Sequence, residues 1–198
     1  MILEKFWLDK ANRCPSHNYD VRSNEEIDLI VIHSISLPPG IFGNSFVEDF
    51  FQNKLDHSKD KYFQEIKDLK VSSHFLIKRD GEITQFVSIL DRAWHAGVSS
   101  YKGREDCNDY SIGIELEGTD VDFFEENQYE SLVSLTRTLM SELPRITLDR
   151  IVGHSDIAPG RKSDPGKGFD WDKFKAVSYT HLRAHETEAD LVCRLLLE

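Results

Sequence analysis

The chain has 198 residues, of which 39% are hydrophobic and 30% charged, and its formal net charge is −11. That length suits one domain, and that hydrophobic share is too high for a disordered chain. The acidic balance argues against generic binding to nucleic acid or to an anionic membrane surface.

The first residues, "MILEKFWLDK", carry Glu4 and Asp9 and lack a long apolar core, so no secretory signal is expected. No apolar run approaches the roughly 18 residues of a membrane helix. Cys14, Cys107 and Cys193 are widely spaced, odd in number and form no CxxC pair. They read as free thiols in a reducing compartment, so a cytoplasmic protein is expected.

"DLIVIHSIS" (28–36) contains four consecutive apolar residues, Leu29 to Ile32, and predicts a buried strand that ends at His33. Phe46, Val47, Phe50 and Phe51 predict a short helix after Asn44. "SSHFLIKRDGEITQFVS" (72–88) predicts a hairpin turning at Asp80-Gly81. "SIGIELEG" (111–118) alternates. Ile112, Ile114 and Leu116 should face one way, and Gly113, Glu115 and Glu117 the other. Tyr129, Leu132, Val133, Thr136, Leu139, Met140 and Leu143 predict an amphipathic helix over 125–143, stopped by Pro144. "DRIVGH" (149–154) predicts another short strand. Strands alternate with helices and one pair is an antiparallel hairpin. The expected fold is therefore α/β, a central mixed β-sheet flanked by α-helices.

His33 and His154 each end a predicted strand, and Asp164 follows His154 in the turn-rich loop "GHSDIAPGRKSDPG". Strand ends that feed loops are where sheet proteins place sites. Two histidines and a carboxylate can hold a catalytic zinc ion with one position open for water, although this spacing alone is a weak signal. Glu115 and Glu117 share one strand face. They fit a solvated face as well as a general base beside a metal. Lys162 is an ordinary loop lysine or, near a metal, an oxyanion stabiliser. Trp94 and His95 in "RAWHAG" fit either core packing or an amphipathic wall for a ring or peptide. His181 and His185 in "HLRAH" have metal-binding helical spacing.

Taken together, "SHNYDVR", "VIHSISLPPGIFG", "VSSHFLIKRDGEITQFV", "RAWHAGVSSYKGREDCNDYSIGIELEGTD" and "GHSDIAPGRKSDPGKGFDW" resemble the AmpD-type zinc amidases of the N-acetylmuramoyl-L-alanine amidase family. The resemblance runs from about residue 5 to 176. It implies a mixed sheet with flanking helices and one zinc ion per chain held by His33, His154 and Asp164. It implies Glu115 as the proton acceptor and Lys162 as the transition-state stabiliser. Ser34, Trp94, His95 and Asn108 are the candidate substrate-binding residues.

The implied reaction cleaves the amide between the lactyl group of (1,6-anhydro-)N-acetylmuramic acid and L-alanine, in cytoplasmic recycling of wall fragments. The expected partner is a small muropeptide, with no nucleic acid and no membrane, and a monomer is expected. Two other readings are a muropeptide-binding protein without catalysis and a lytic amidase acting on polymeric wall. Asp106 stands where the family commonly has a basic residue, and Ser34 where it often has Asn. Residues 1–176 are expected to form the amidase domain. Residues 177–198, "VSYTHLRAHETEADLVCRLLLE", match nothing in such a domain and read as non-native read-through. His181, His185 and Cys193 are set aside on that ground.

Overall fold

In the computed structural model, residues 3–4, 6–22 and 26–178 are described. Six strands form the central sheet: β1 (Asn12–Arg13), β2 (Leu29–Ile35), β3 (Phe75–Ile77), β4 (Ile83–Gln85), β5 (Ser111–Glu117) and β6 (Ile151–Gly153). Their order across the sheet is β6-β2-β5-β3-β4-β1. β6, β2, β5 and β3 run parallel, while β4 pairs antiparallel with β3 and parallel with β1. The sheet is therefore mixed, as expected. Helices α1 (Phe46–Phe51), α2 (Lys61–Glu65), α3 (Glu126–Glu142), α4 (His154–Ile157) and α5 (171–178) surround it. Among the described residues no helix is long and apolar enough to cross a membrane.

The two faces of β2 and β5 serve different neighbours, because side chains alternate along a strand. Ile30, Ile32, Ile112, Ile114 and Leu116 join one core with Tyr129, Leu132, Val133 and Leu139 of α3 and with Phe174 of α5. On the opposite face, Leu29 and Val31 pack with Ala96, Cys107, Tyr110 and Ile157. A third cluster places Phe50 and Phe51 of α1 and Phe63 of α2 against Leu76 and Phe86.

Gln128 couples α3 to the sheet. Its Oε1 accepts the backbone N–H of Glu125 at the helix start. Its Nε2 donates to the carbonyls of Ile77, at 3.2 Å, and Glu117, at 3.0 Å. One buried side chain thus caps a helix and satisfies the ends of two strands.

Three expectations need correction. The strand predicted over 149–154 is confined to Ile151–Gly153, because Leu148–Arg150 forms a 3-10 turn and α4 begins at His154. The Asp156 carboxylate accepts the Gly153 N–H at 2.7 Å and turns the chain there. Every residue of β5 is buried, so Gly113, Glu115 and Glu117 do not form a solvated face. The fold also continues past residue 176: Val177 packs against the core, and Ser178 is buried with its hydroxyl donating to the Phe174 carbonyl. The short α2 was not foreseen from the sequence; Asp60 caps it by accepting the Tyr62 N–H. His181, His185 and Cys193 lie outside the described residues.

Replacing Gln128 with Leu should leave two strand carbonyls and a helix N–H without partners. Burying such groups unpaired costs roughly 1–3 kcal/mol each. Urea denaturation should therefore show a loss of about 2 kcal/mol or more, and an unchanged midpoint would contradict this role.

Candidate metal centre and catalytic cleft

Parallel strands gather their C-terminal ends on one side of a sheet, and three of the predicted site residues meet there. His33 lies in the second half of β2, and its register partner on β5 is Glu115. His154 follows directly on β6. Asp164 returns to the same place because its carbonyl accepts the Ser155 N–H at 3.0 Å, closing the loop of Gly and Pro residues. Arg161 pins that loop by donating to the carbonyls of Ala96, at 2.7 Å, and Val98, at 2.6 Å. Asp120 ties it to β2: one carboxylate oxygen accepts from Ser34 at 2.9 Å and the other from Ser163. Gly166 has φ +77°, and a Cβ there would lie 2.1 Å from the Asp120 carbonyl oxygen, so only glycine permits this approach.

The outcome is a tight triangle of donor atoms. His33 Nδ1 is 2.9 Å from His154 Nδ1 and 3.1 Å from Asp164 Oδ2, and His154 Nδ1 is 3.0 Å from the same oxygen. His154 Nε2 lies 3.1 Å from the Ala96 carbonyl, which can only accept. The proton of a neutral His154 is therefore on Nε2, and its Nδ1 turns a lone pair to the triangle. Burial holds His33 in the neutral form, lowering its pKa to about 4 against the opposing pull of the Asp164 carboxylate. A carboxylate and imidazole nitrogens converging in this way repel one another unless a cation lies between them. Tetrahedral zinc with bonds of about 2.0–2.1 Å needs ligand atoms about 3.3 Å apart, close to the spacing found. The three residues fit a metal ion, and they form the group among the described residues able to hold one.

These residues open into a cleft of about 520 Å³ that also takes in Glu115, Lys162, Ser34 and His95. Its lining also includes the apolar residues Leu37, Phe50 and Ile66. Glu115 Oε2 is buried with no hydrogen-bond partner. Burial first, and the Asp164 charge second, raise the Glu115 pKa well above the usual carboxylate value, with Lys162 opposing. Glu117 is committed elsewhere. Its two oxygens accept the backbone N–H groups of Gly43, at 2.7 Å, and Arg79, at 3.2 Å. This corrects the solvated-face reading and separates two glutamates that alternation alone could not.

Of the four substrate-binding expectations, the structure brings Ser34 and His95 to the cleft, but not Trp94 or Asn108. Trp94 is half-buried and its indole N–H donates to Asp20 at 2.7 Å. Asn108 is buried, and its Oδ1 accepts the backbone N–H groups of His95 and Ala96. His95 is buried with Nδ1 3.0 Å from His33 Nε2, and burial sets its pKa well below the ordinary histidine value. Asp120, Arg161 and Ser111 were not singled out from the sequence. Only Ser111 left a trace, two positions from Gly113 and four from Glu115 in the alternating strand. Cys14 and Cys107 are both free thiols, Cys107 buried.

Residues 23–167 match the family model for N-acetylmuramoyl-L-alanine amidase. The chain is 53% identical over 173 residues to the 1,6-anhydro-N-acetylmuramyl-L-alanine amidase AmpD of Haemophilus influenzae, covering 87% of this chain and 94% of that one. A crystal structure of an AmpD selenomethionine derivative matches with a TM-score of 0.87 at 50% identity, over 89% of this chain and 98% of that one. The amidase AmiD from E. coli, solved with the substrate anhydro-N-acetylmuramic acid-L-Ala-D-gamma-Glu-L-Lys, matches with a TM-score of 0.57 at 30% identity. That match covers 78% of this chain and 58% of AmiD.

Replacing Glu117 with Ala should strip the acceptors from the Gly43 and Arg79 N–H groups and lower stability by about 2 kcal/mol or more. Thermal and urea unfolding measure this, and a variant as stable as the parent would show that Glu117 does not anchor these two loops.

Proposed function

We propose the following reaction for this chain, which belongs to the N-acetylmuramoyl-L-alanine amidase family. It hydrolyses the amide bond between the lactyl group of 1,6-anhydro-N-acetylmuramic acid and the L-alanine of a small muropeptide. The setting we assign is cytoplasmic recycling of wall fragments by a monomer. The observation that carries the reading is a buried carboxylate with one unpartnered oxygen, Glu115 Oε2, in the same cleft as three converging metal donors.

His33, His154 and Asp164 would hold one zinc ion. When bound, zinc polarises the amide carbonyl and lowers the pKa of a coordinated water to about 7. Glu115 takes a proton from the attacking water and delivers it to the alanine nitrogen as the carbon–nitrogen bond breaks. Its buried position suits both acts, because the raised proton affinity lets it accept and then release one proton. Lys162 directs its ammonium at the oxyanion of the tetrahedral stage. The apolar lining residues Leu37, Phe50 and Ile66 bury the uncharged parts of the substrate and exclude water. The catalytic unit runs through Ser178 in this reading, and no catalytic part is assigned to 179–198.

The test is mass spectrometry of products from a soluble anhydromuropeptide and from intact sacculi. The soluble substrate should yield anhydro-N-acetylmuramic acid and a free stem peptide, and the sacculi should release little. Glu115→Gln should lower kcat by about 100-fold or more with its metal still bound, and Glu117→Ala should lower it far less in the folded fraction. Binding of the muropeptide without cleavage, or full activity in Glu115→Gln, would contradict the assignment.

A further inference from the structure

We propose that His95 and Ser111 act as a positioning pair that fixes the tautomer of His33, presenting an unprotonated Nδ1 to the metal centre. The inference rests on the proposed ligand role of His33 and adds a reason why that nitrogen is free. Ser111, Gly113 and Glu115 are alternate residues of β5 and share one face, the face that carries His33 on β2. The His95 ring lies over this row. Its Nε2 meets Ser111, its Cγ, Cδ2 and Nδ1 lie where a Cβ on Gly113 would be, and its Nδ1 reaches His33.

The proton positions follow from one end. The Ser111 hydroxyl lies 2.5 Å from the Cys107 carbonyl. A carbonyl only accepts, so the single hydroxyl proton is committed there. Ser111 Oγ then faces His95 Nε2, at 3.3 Å, with a lone pair. His95 Nε2 must therefore carry the ring proton. Both rings are buried, which favours neutral imidazole with one N–H each. His95 Nδ1 is consequently bare, and it accepts from His33 Nε2 at 3.0 Å. The only proton of His33 is thereby held at Nε2, and Nδ1 is left as a lone pair beside Asp164 Oδ2 and His154 Nδ1. Without this chain, the Asp164 carboxylate would draw the proton to Nδ1, where an incoming cation would have to displace it.

Two features hold the ring in place. Asn108 Oδ1 accepts the backbone N–H groups of His95 and Ala96, at 3.1 and 2.8 Å. Gly113 supplies the slot, because a Cβ there would lie 2.5 Å from His95 Cγ. The same segment serves the second histidine ligand, since the Ala96 carbonyl accepts from His154 Nε2. Partners behind metal ligands typically govern metal affinity by about 10–100-fold.

The test measures zinc dissociation constants of the full chain by chelator competition, together with two-bond proton–nitrogen spectra of its zinc-free histidines. In the zinc-free parent, His33 should be protonated at Nε2 and bare at Nδ1. His95→Ala should weaken zinc binding by about 10–100-fold, and Ser111→Ala by about tenfold with a mixed His33 tautomer. His95→Asn, whose amide oxygen can stand where Nδ1 stands, should restore affinity to less than about tenfold below the parent. Should His95→Ala fail to fold, Ser111→Ala and His95→Asn still decide the matter. Unchanged affinity and tautomer in Ser111→Ala, or a proton on His33 Nδ1 in the parent, would overturn the proposal. A parent that binds no zinc would instead refute the ligand reading, while the spectra would still report on the tautomer.

Discussion

Three electron-rich atoms, two imidazole nitrogens and a carboxylate oxygen, lie within 3.1 Å of one another in a largely buried space. Such a cluster is unfavourable without a cation, because burial removes the water that would screen the repulsion. The surrounding fold supplies the restraint. The β2–β5 register sets His33 beside Glu115, and the end of β6 delivers His154. The Asp120 carboxylate holds Ser34 and Ser163, each adjacent in sequence to a donor residue. Local stability is thus invested in geometry that becomes favourable only when a positive charge arrives.

The same sheet gives two neighbouring glutamates opposite duties. Glu117 is saturated by backbone donors from two loops and acts as a buried anchor. Glu115 is left with an unpartnered oxygen, and burial together with the Asp164 charge raises its proton affinity. An unsatisfied buried carboxylate normally weakens a fold. Its presence in a cleft lined by metal donors fits the proton-carrying role proposed for it, an environment suited to transfer rather than to stability.

Much of this was legible in the sequence because the strong signals were local. The run Leu29–Ile32, the Asp80-Gly81 turn and the spacing from Tyr129 to Leu143 each carry their own periodicity. Two histidines ending predicted strands, followed by a carboxylate in a turn-rich loop, were a weak signal alone, and only the resemblance implied that they form one ligand set. What stayed hidden depends on partners far along the chain. Alternation placed Glu115 and Glu117 together, and only the folded positions of Gly43 and Arg79 tell them apart. Trp94 fitted core packing as well as a cleft wall, and in the fold its indole N–H donates to Asp20. Asn108 turned out to support the backbone of His95 and Ala96. The fold's continuation through Val177 and Ser178 has a similar origin, since their contacts are made with the core and with Phe174.

The central claim is that these three donor atoms are one metal site. Crystals grown with zinc, measured at wavelengths on both sides of the zinc absorption edge, test it most directly. One anomalous peak per chain should appear about 2.0–2.1 Å from His33 Nδ1, His154 Nδ1 and an Asp164 carboxylate oxygen. A zinc ion bound elsewhere, or contacted through the opposite imidazole nitrogens, would contradict the account.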